Sequence, residues 1–143
     1  MIVPDANLLL YAYDSTSPFH HRARDWWEAC LSGTEAVGLT HTVIFAFIRI
    51  GTSSRAFTNP LTLNEASERV TAWLQRRMTQ LLQPDADHVD RVLRLLAAVS
   101  AGGNLVTDAQ IAALAMAYRA VVHTADRDFL RFPDLACHYP LDA

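Results

Sequence analysis

The sequence predicts an α/β fold: a single three-layer domain over residues 1–143, with a mainly parallel central sheet flanked by helices. Three observations predict it. Short β-rich runs alternate with longer stretches of helical period, the pattern of strands joined by crossover helices. The 143 residues suffice for one hydrophobic core and are too few for two. A composition of 51 % hydrophobic and 19 % charged residues is that of an ordinary globular chain, and no repeat or linker interrupts it.

Ile2 and Val3 form the first strand, ending at Asp5, with Pro4 acceptable only at a strand end because it has no amide to donate. LLLYAY follows as a helix entered through Asn7, a good N-cap residue. From Pro18 a second helix carries Phe19, Ala23, Trp26, Trp27, Cys30 and Leu31 on one apolar face. Ala36 to Leu39 reads as a strand. Thr42 to Ile50 is apolar nearly all round; if helical, it is deeply buried or lies against a partner, and its period alone does not separate helix from strand. Thr62 and Glu65 have the spacing of a capping box, opening a helix that runs towards Arg77, where a basic end complements the helix dipole. After a short strand near Leu81, residues Val89, Val92, Leu93, Leu96 and Val99 outline an amphipathic helix stopped by Gly102 and Gly103. Asn104 to Val106 reads as a strand. Thr107 and Gln110 then repeat the capping-box spacing, which puts Asp108 in the first turn of a helix. Ala120 to Thr124 and Cys137 to Tyr139 supply the last two strands.

A net charge of -3 excludes attachment to nucleic acid by an overall positive field, so any RNA contact must be local. All twelve basic residues are arginine. The two cysteines, Cys30 and Cys137, have neither C-x-x-C spacing nor a disulfide framework, and a reducing cytoplasm is expected. The N-terminal apolar run is too short to span a bilayer and lacks a basic leader, so it reads as folded structure with no membrane association. No G-x-G-x-x-G, G-x-x-x-x-G-K-[ST] or G-x-S-x-G is present, which removes dinucleotide, P-loop and esterase readings. A phosphotransferase that begins with a strand-end aspartate needs a later lysine, and the chain has none.

Asp5, Asp108 and Asp126 each follow a short apolar run where it gives way to a turn or helix. In a parallel sheet the carboxyl ends of the strands share one edge, where ligands bind, so three carboxylates from distant parts of the chain converge there. Like charges brought together take up protons unless a cation neutralises them. Oxygen donors without cysteine or paired histidine favour Mg2+, with Mn2+ as the alternative, and such an ion polarises phosphate and activates water. Each aspartate also has a structural reading: Asp108 faces the positive end of a helix dipole, Asp5 caps a turn, and Asp126 with Asp128 forms a solvated turn beside Arg127 and Arg131. His20 and His21 are helix neighbours that point different ways, and Trp26, Trp27, Phe45, Phe47, Phe57 and Trp73 are assigned to burial and to a partner groove.

Three segments, DANLLLYAYD at 5–14, LVTDAQIAALAMAY at 105–118 and HTADRDF at 123–129, resemble the PIN domain of VapC-type toxins, and the likeness runs over nearly the whole chain. The resemblance implies a metal-dependent endoribonuclease, the toxin of a type II toxin–antitoxin system, cutting tRNA or rRNA. It implies Asp5, Asp108 and Asp126 as metal-binding and catalytic residues, with Asp128 as a helper and Thr124 orienting a water or phosphate. It further implies a VapB-like antitoxin laid across the site and a homodimer. One position departs from the family pattern: in VIFAFIRIGT, Ala46 stands where the family has a glutamate. Arg49, one turn on, either faces the crevice towards phosphate or extends to solvent. The missing carboxylate leaves a second reading open, a PIN-like module that binds RNA or a partner without cutting.

Overall fold

The computed structural model describes residues 1–142. Five strands alternate with six helices: β1 (Ile2–Pro4), α1 (Ala6–Tyr13), α2 (His20–Ser32), β2 (Val37–Leu39), α3 (His41–Gly51), α4 (Leu63–Leu74), β3 (Thr79–Leu81), α5 (His88–Val99), α6 (Leu105–Ala117), β4 (Val121–His123) and β5 (Cys137–His138). A 3-10 turn, Arg127–Arg131, joins the last two strands. The strand order is β3-β2-β1-β4-β5 and every pairing is parallel. β1 therefore lies between β2 and β4, with Ile2 opposite both Val37 and Val121.

The three inner strands carry the buried apolar residues of the sheet: Val3, Val37, Leu39 and Val122 are fully enclosed, while the edge strands β3 and β5 are half-buried or exposed. α1 packs on α2 and α3, and α5 on α6. At the centre, the ring of Trp73 meets Phe47 at 4.7 Å and Trp27 edge-on at 5.5 Å, and its Nε1 donates to the Tyr13 hydroxyl at 2.9 Å. That bond satisfies the one polar atom of a large buried side chain.

Several local expectations are corrected. α1 is capped by Asp5, not entered through Asn7, because the Asp5 carboxylate accepts from the Ala6 amide at 2.7 Å and starts the helix directly at the strand end. The expected strand at Asn104 to Val106 is the start of α6: the Leu105 and Val106 amides donate to the carbonyls of Gly102 and Gly103, winding the chain into helix before Thr107. Thr107 accordingly sits inside the first turn and caps nothing. Gln110 accepts instead from the Thr42 hydroxyl at 2.9 Å, tying α6 to α3. α4 stops at Leu74, short of the arginines, and has no basic residue in its last turn. α5 ends on Ser100 in the left-handed conformation (φ 51°), before either glycine. Thr42 to Ile50 is helix, with Val43, Ile44 and Phe47 buried, but Phe45 is 62 % exposed and does not belong to the core.

Candidate active site

Asp5 sits at the end of β1, the central strand, and Thr124 and Asp126 lie just beyond β4 beside it. The two strands are locked at this edge by the Asp5 amide, which donates to the His123 carbonyl at 2.8 Å. Asp5 is 6 % exposed. Its Oδ1 takes the Ala6 amide and its Oδ2 takes the Thr124 hydroxyl at 2.8 Å. The same Thr124 oxygen accepts from the Asp126 amide at 2.9 Å, and Asp126 Oδ1 in turn accepts from the Asp128 amide at 2.8 Å. A continuous set of hydrogen bonds thus joins β1 to the 3-10 turn.

Asp108 reaches the same place from the first turn of α6. Carboxylate oxygens of Asp108, Asp126 and Asp128 lie within 4.8 Å of one another. Asp5 lies deeper than that trio yet is electrostatically coupled to it. Burial pushes the Asp5 carboxyl up, opposed in part by the hydrogen bonds from Thr124 and Ala6, and the charge of Asp126 pushes it further. Asp108 is pushed up to about 7, first by burial and then by the negative charges of Asp5, Asp126 and Asp128. Four carboxylates therefore share one field.

Among the described residues no ion pair reaches these four carboxylates. Arg127, adjacent to Asp126, turns away to hold both oxygens of Asp142 at 2.7 and 2.8 Å while stacking on Tyr139. The solvated turn of Asp126 and Asp128 with Arg127 is thus replaced by a turn whose acids face the cluster and whose arginine does not. The unpaired, half-buried carboxylate of Asp108 is costly to keep ionised, and an all-oxygen donor set of this kind fits a hard divalent cation.

Of the expected set, Asp108 and Asp126 fall together with Asp128, while Asp5 lies outside that group and is joined to it through the Thr124 hydroxyl. Sequence reasoning named Asp128 only as a helper, although its alternation with Asp126 across a tight turn was the available signal. Thr124 is fully buried, so its hydroxyl has no path to a substrate. Arg49 is exposed in the last turn of α3. Ala46, half-buried on the same helix, packs against the core. Of the aromatic residues, Trp27, Phe47, Phe57 and Trp73 are buried, and half-buried Trp26 donates from Nε1 to His123 Nδ1 at 3.0 Å.

A family model for the PIN domain matches residues 2–135. Ribonuclease VapC33 of Mycobacterium tuberculosis is 41 % identical over 141 residues, covering 99 % of both chains. Ribonuclease VapC37 of the same organism is 38 % identical over 98 % of this chain and 97 % of that protein. Among solved structures, VapBC2 from Rickettsia felis, bound to a DNA fragment from its promoter, superimposes with a TM-score of 0.69 over 96 % of this chain and 98 % of that one; at 17 % identity this is a likeness of fold. With the strand order, the acidic edge and full-length relatives in agreement, this chain belongs to the PIN-domain family, among the VapC ribonucleases.

Proposed function

We propose that this protein is a magnesium-dependent endoribonuclease, the toxin of a toxin–antitoxin pair, that hydrolyses RNA phosphodiester bonds at the edge formed by Asp5, Asp108, Asp126 and Asp128. The observation that carries the proposal is the gathering of four carboxylates that make no ion pair among the described residues. The names of the full-length relatives, both called ribonucleases, support the chemistry. The Rickettsia neighbour is named VapBC2, which supports a VapB-like partner.

Asp108, Asp126 and Asp128 would hold the ion, with Asp5 behind them. A bound divalent cation supplies charge neutralisation at the scissile phosphate and lowers the pKa of a water. The protein's own part is positional. Asp126 is held by three hydrogen bonds, at its amide, at its carboxylate and at its carbonyl, which accepts from the Tyr139 hydroxyl, so its second carboxylate oxygen is presented in a fixed direction. Asp108, which holds its proton first through burial and then through the charges of Asp5, Asp126 and Asp128, would offer an ionised oxygen to a cation held there. Asp5 is shielded from solvent and sets the depth of the negative field.

Ala46 does not leave the site short of acids, since Asp128 supplies a further carboxylate to the group; this weighs against a non-cutting module. The test is cleavage of total tRNA and rRNA in Mg2+. Asp5→Asn is expected to lower the rate on the order of 100-fold or more, the usual scale for removing one electrostatic group from a preorganised site, and EDTA to abolish it. Cleavage by Asp5→Asn at the rate of the unmodified protein would refute the assignment.

A further inference from the structure

We infer that Thr124 is the positioning residue of this site: its hydroxyl clamps Asp5 to Asp126 and sets the spacing of the acidic cluster, and it does not meet water or phosphate. This rests on the metal-dependent reading above and differs from the role that family resemblance implied. Four observations lead to it.

Thr124 is fully buried, one of three buried polar side chains among the described residues, and Asp5 is another. A threonine hydroxyl has one proton to give and two lone pairs. The Asp126 amide can only donate, so Thr124 Oγ1 accepts there at 2.9 Å, and its single proton is left for Asp5 Oδ2 at 2.8 Å. The hydroxyl is thus used in two directions at once and enclosed by protein. Finally, Asp5 and Asp126 are 121 positions apart in the chain and repel one another, as the upward push of Asp126 on Asp5 records. The backbone pairing of β1 with β4 aligns the two strands, but beyond the strand ends Thr124 is the side chain that bonds to both residues.

Groups that hold a metal's carboxylate ligands in orientation cost affinity when lost, typically ten- to a hundredfold. Removing the Thr124 hydroxyl leaves Asp5 Oδ2 and the Asp126 amide without their partner and frees Asp5 and Asp126 to move apart under their own repulsion. Thr124→Val keeps shape and volume, Thr124→Ala is smaller than the native side chain, and Thr124→Ser keeps the hydroxyl.

The experiment is calorimetric titration of the full-length protein with MnCl2, with circular dichroism in EDTA to verify the fold of each form. Thr124→Val and Thr124→Ala are expected to bind Mn2+ at least about tenfold more weakly than the unmodified protein, and Thr124→Ser close to it. Folded Val or Ala forms with unchanged affinity would overturn the inference, as would a folded Thr124→Ser form that loses affinity to the same degree. Should the unmodified protein bind no Mn2+, the metal reading and this inference both fall. Should Mn2+ binding depend on the hydroxyl as expected while no form cuts RNA, the nuclease reading falls and the clamp stands.

Discussion

Asp108 is the residue at which the electrostatic cost of the site is most visible. Its pKa of about 7 in the folded chain lies above the 3.8 of an unperturbed aspartate, so between these values the folded protein keeps a proton that the unfolded chain has released. That contribution to stability is complete below about pH 4 and is lost as pH rises through about 7. His123 acts in the opposite sense: burial and neighbouring His138 push it down to about 4, below its ordinary 6.5, so the fold loses stability as pH falls from 6.5 to 4. Comparing the unmodified protein with Asp108→Asn isolates the first effect. Melting temperatures in EDTA between pH 4 and 8 should show the stability advantage of Asp108→Asn growing with pH up to about 7 and flattening above; a constant difference would contradict the coupling. At this scale, part of the site was legible in the sequence, because three aspartates each follow a short apolar run, although the run before Asp108 proved to be the start of a helix and not a strand. What was not legible is the use of each side chain. Nothing in the order of residues says that the Thr124 hydroxyl is consumed by Asp5 and Asp126, or that Arg127 turns to Asp142.

At the scale of elements, reading succeeded where a local bond decides the outcome. Thr62 and Glu65 form the reciprocal capping box that their spacing predicts, with the Glu65 amide on Thr62 Oγ1 and the Thr62 amide on Glu65 Oε1, both at 3.0 Å. Thr62→Ala should cost about 1 kcal/mol of stability, as N-cap replacements usually do, measured by urea denaturation; an unchanged midpoint would show that α4 is held by packing alone. Reading failed where two local signals competed. Leu105, Val106 and Thr107 are β-prone, and the glycines before them suggested a turn into a strand, yet the amides of 105 and 106 close helical turns onto those glycines and Leu105 buries its side chain. Tertiary burial overrode propensity. The same holds for α3, whose nearly uniform apolar sequence hid which side faces out; the outward side is set by its packing on α1, α4 and α6.

At the scale of the whole molecule, the sheet order is what makes a site out of separate acids. The sequence marks where strands end, but adjacency of β1 and β4 follows from crossover connections that no local pattern encodes, and without that adjacency Asp5 and Asp126 would not share an edge. The fold class was legible because short apolar runs alternate with helical stretches; the strand count was not, since six strands were expected and five form, residues 104–106 being helical. Among the described residues no helix is long and apolar enough to cross a membrane. A chain with net charge -3 that concentrates four carboxylates on one edge accepts repulsion there which the rest of the core must offset, and a divalent cation relieves it. The most direct test of that claim is anomalous diffraction from crystals grown with Mn2+. The account predicts a strong anomalous peak bounded by the carboxylates of Asp108, Asp126 and Asp128, absent from crystals of Asp108→Asn; a protein crystallised in millimolar Mn2+ with no peak at this edge would contradict it.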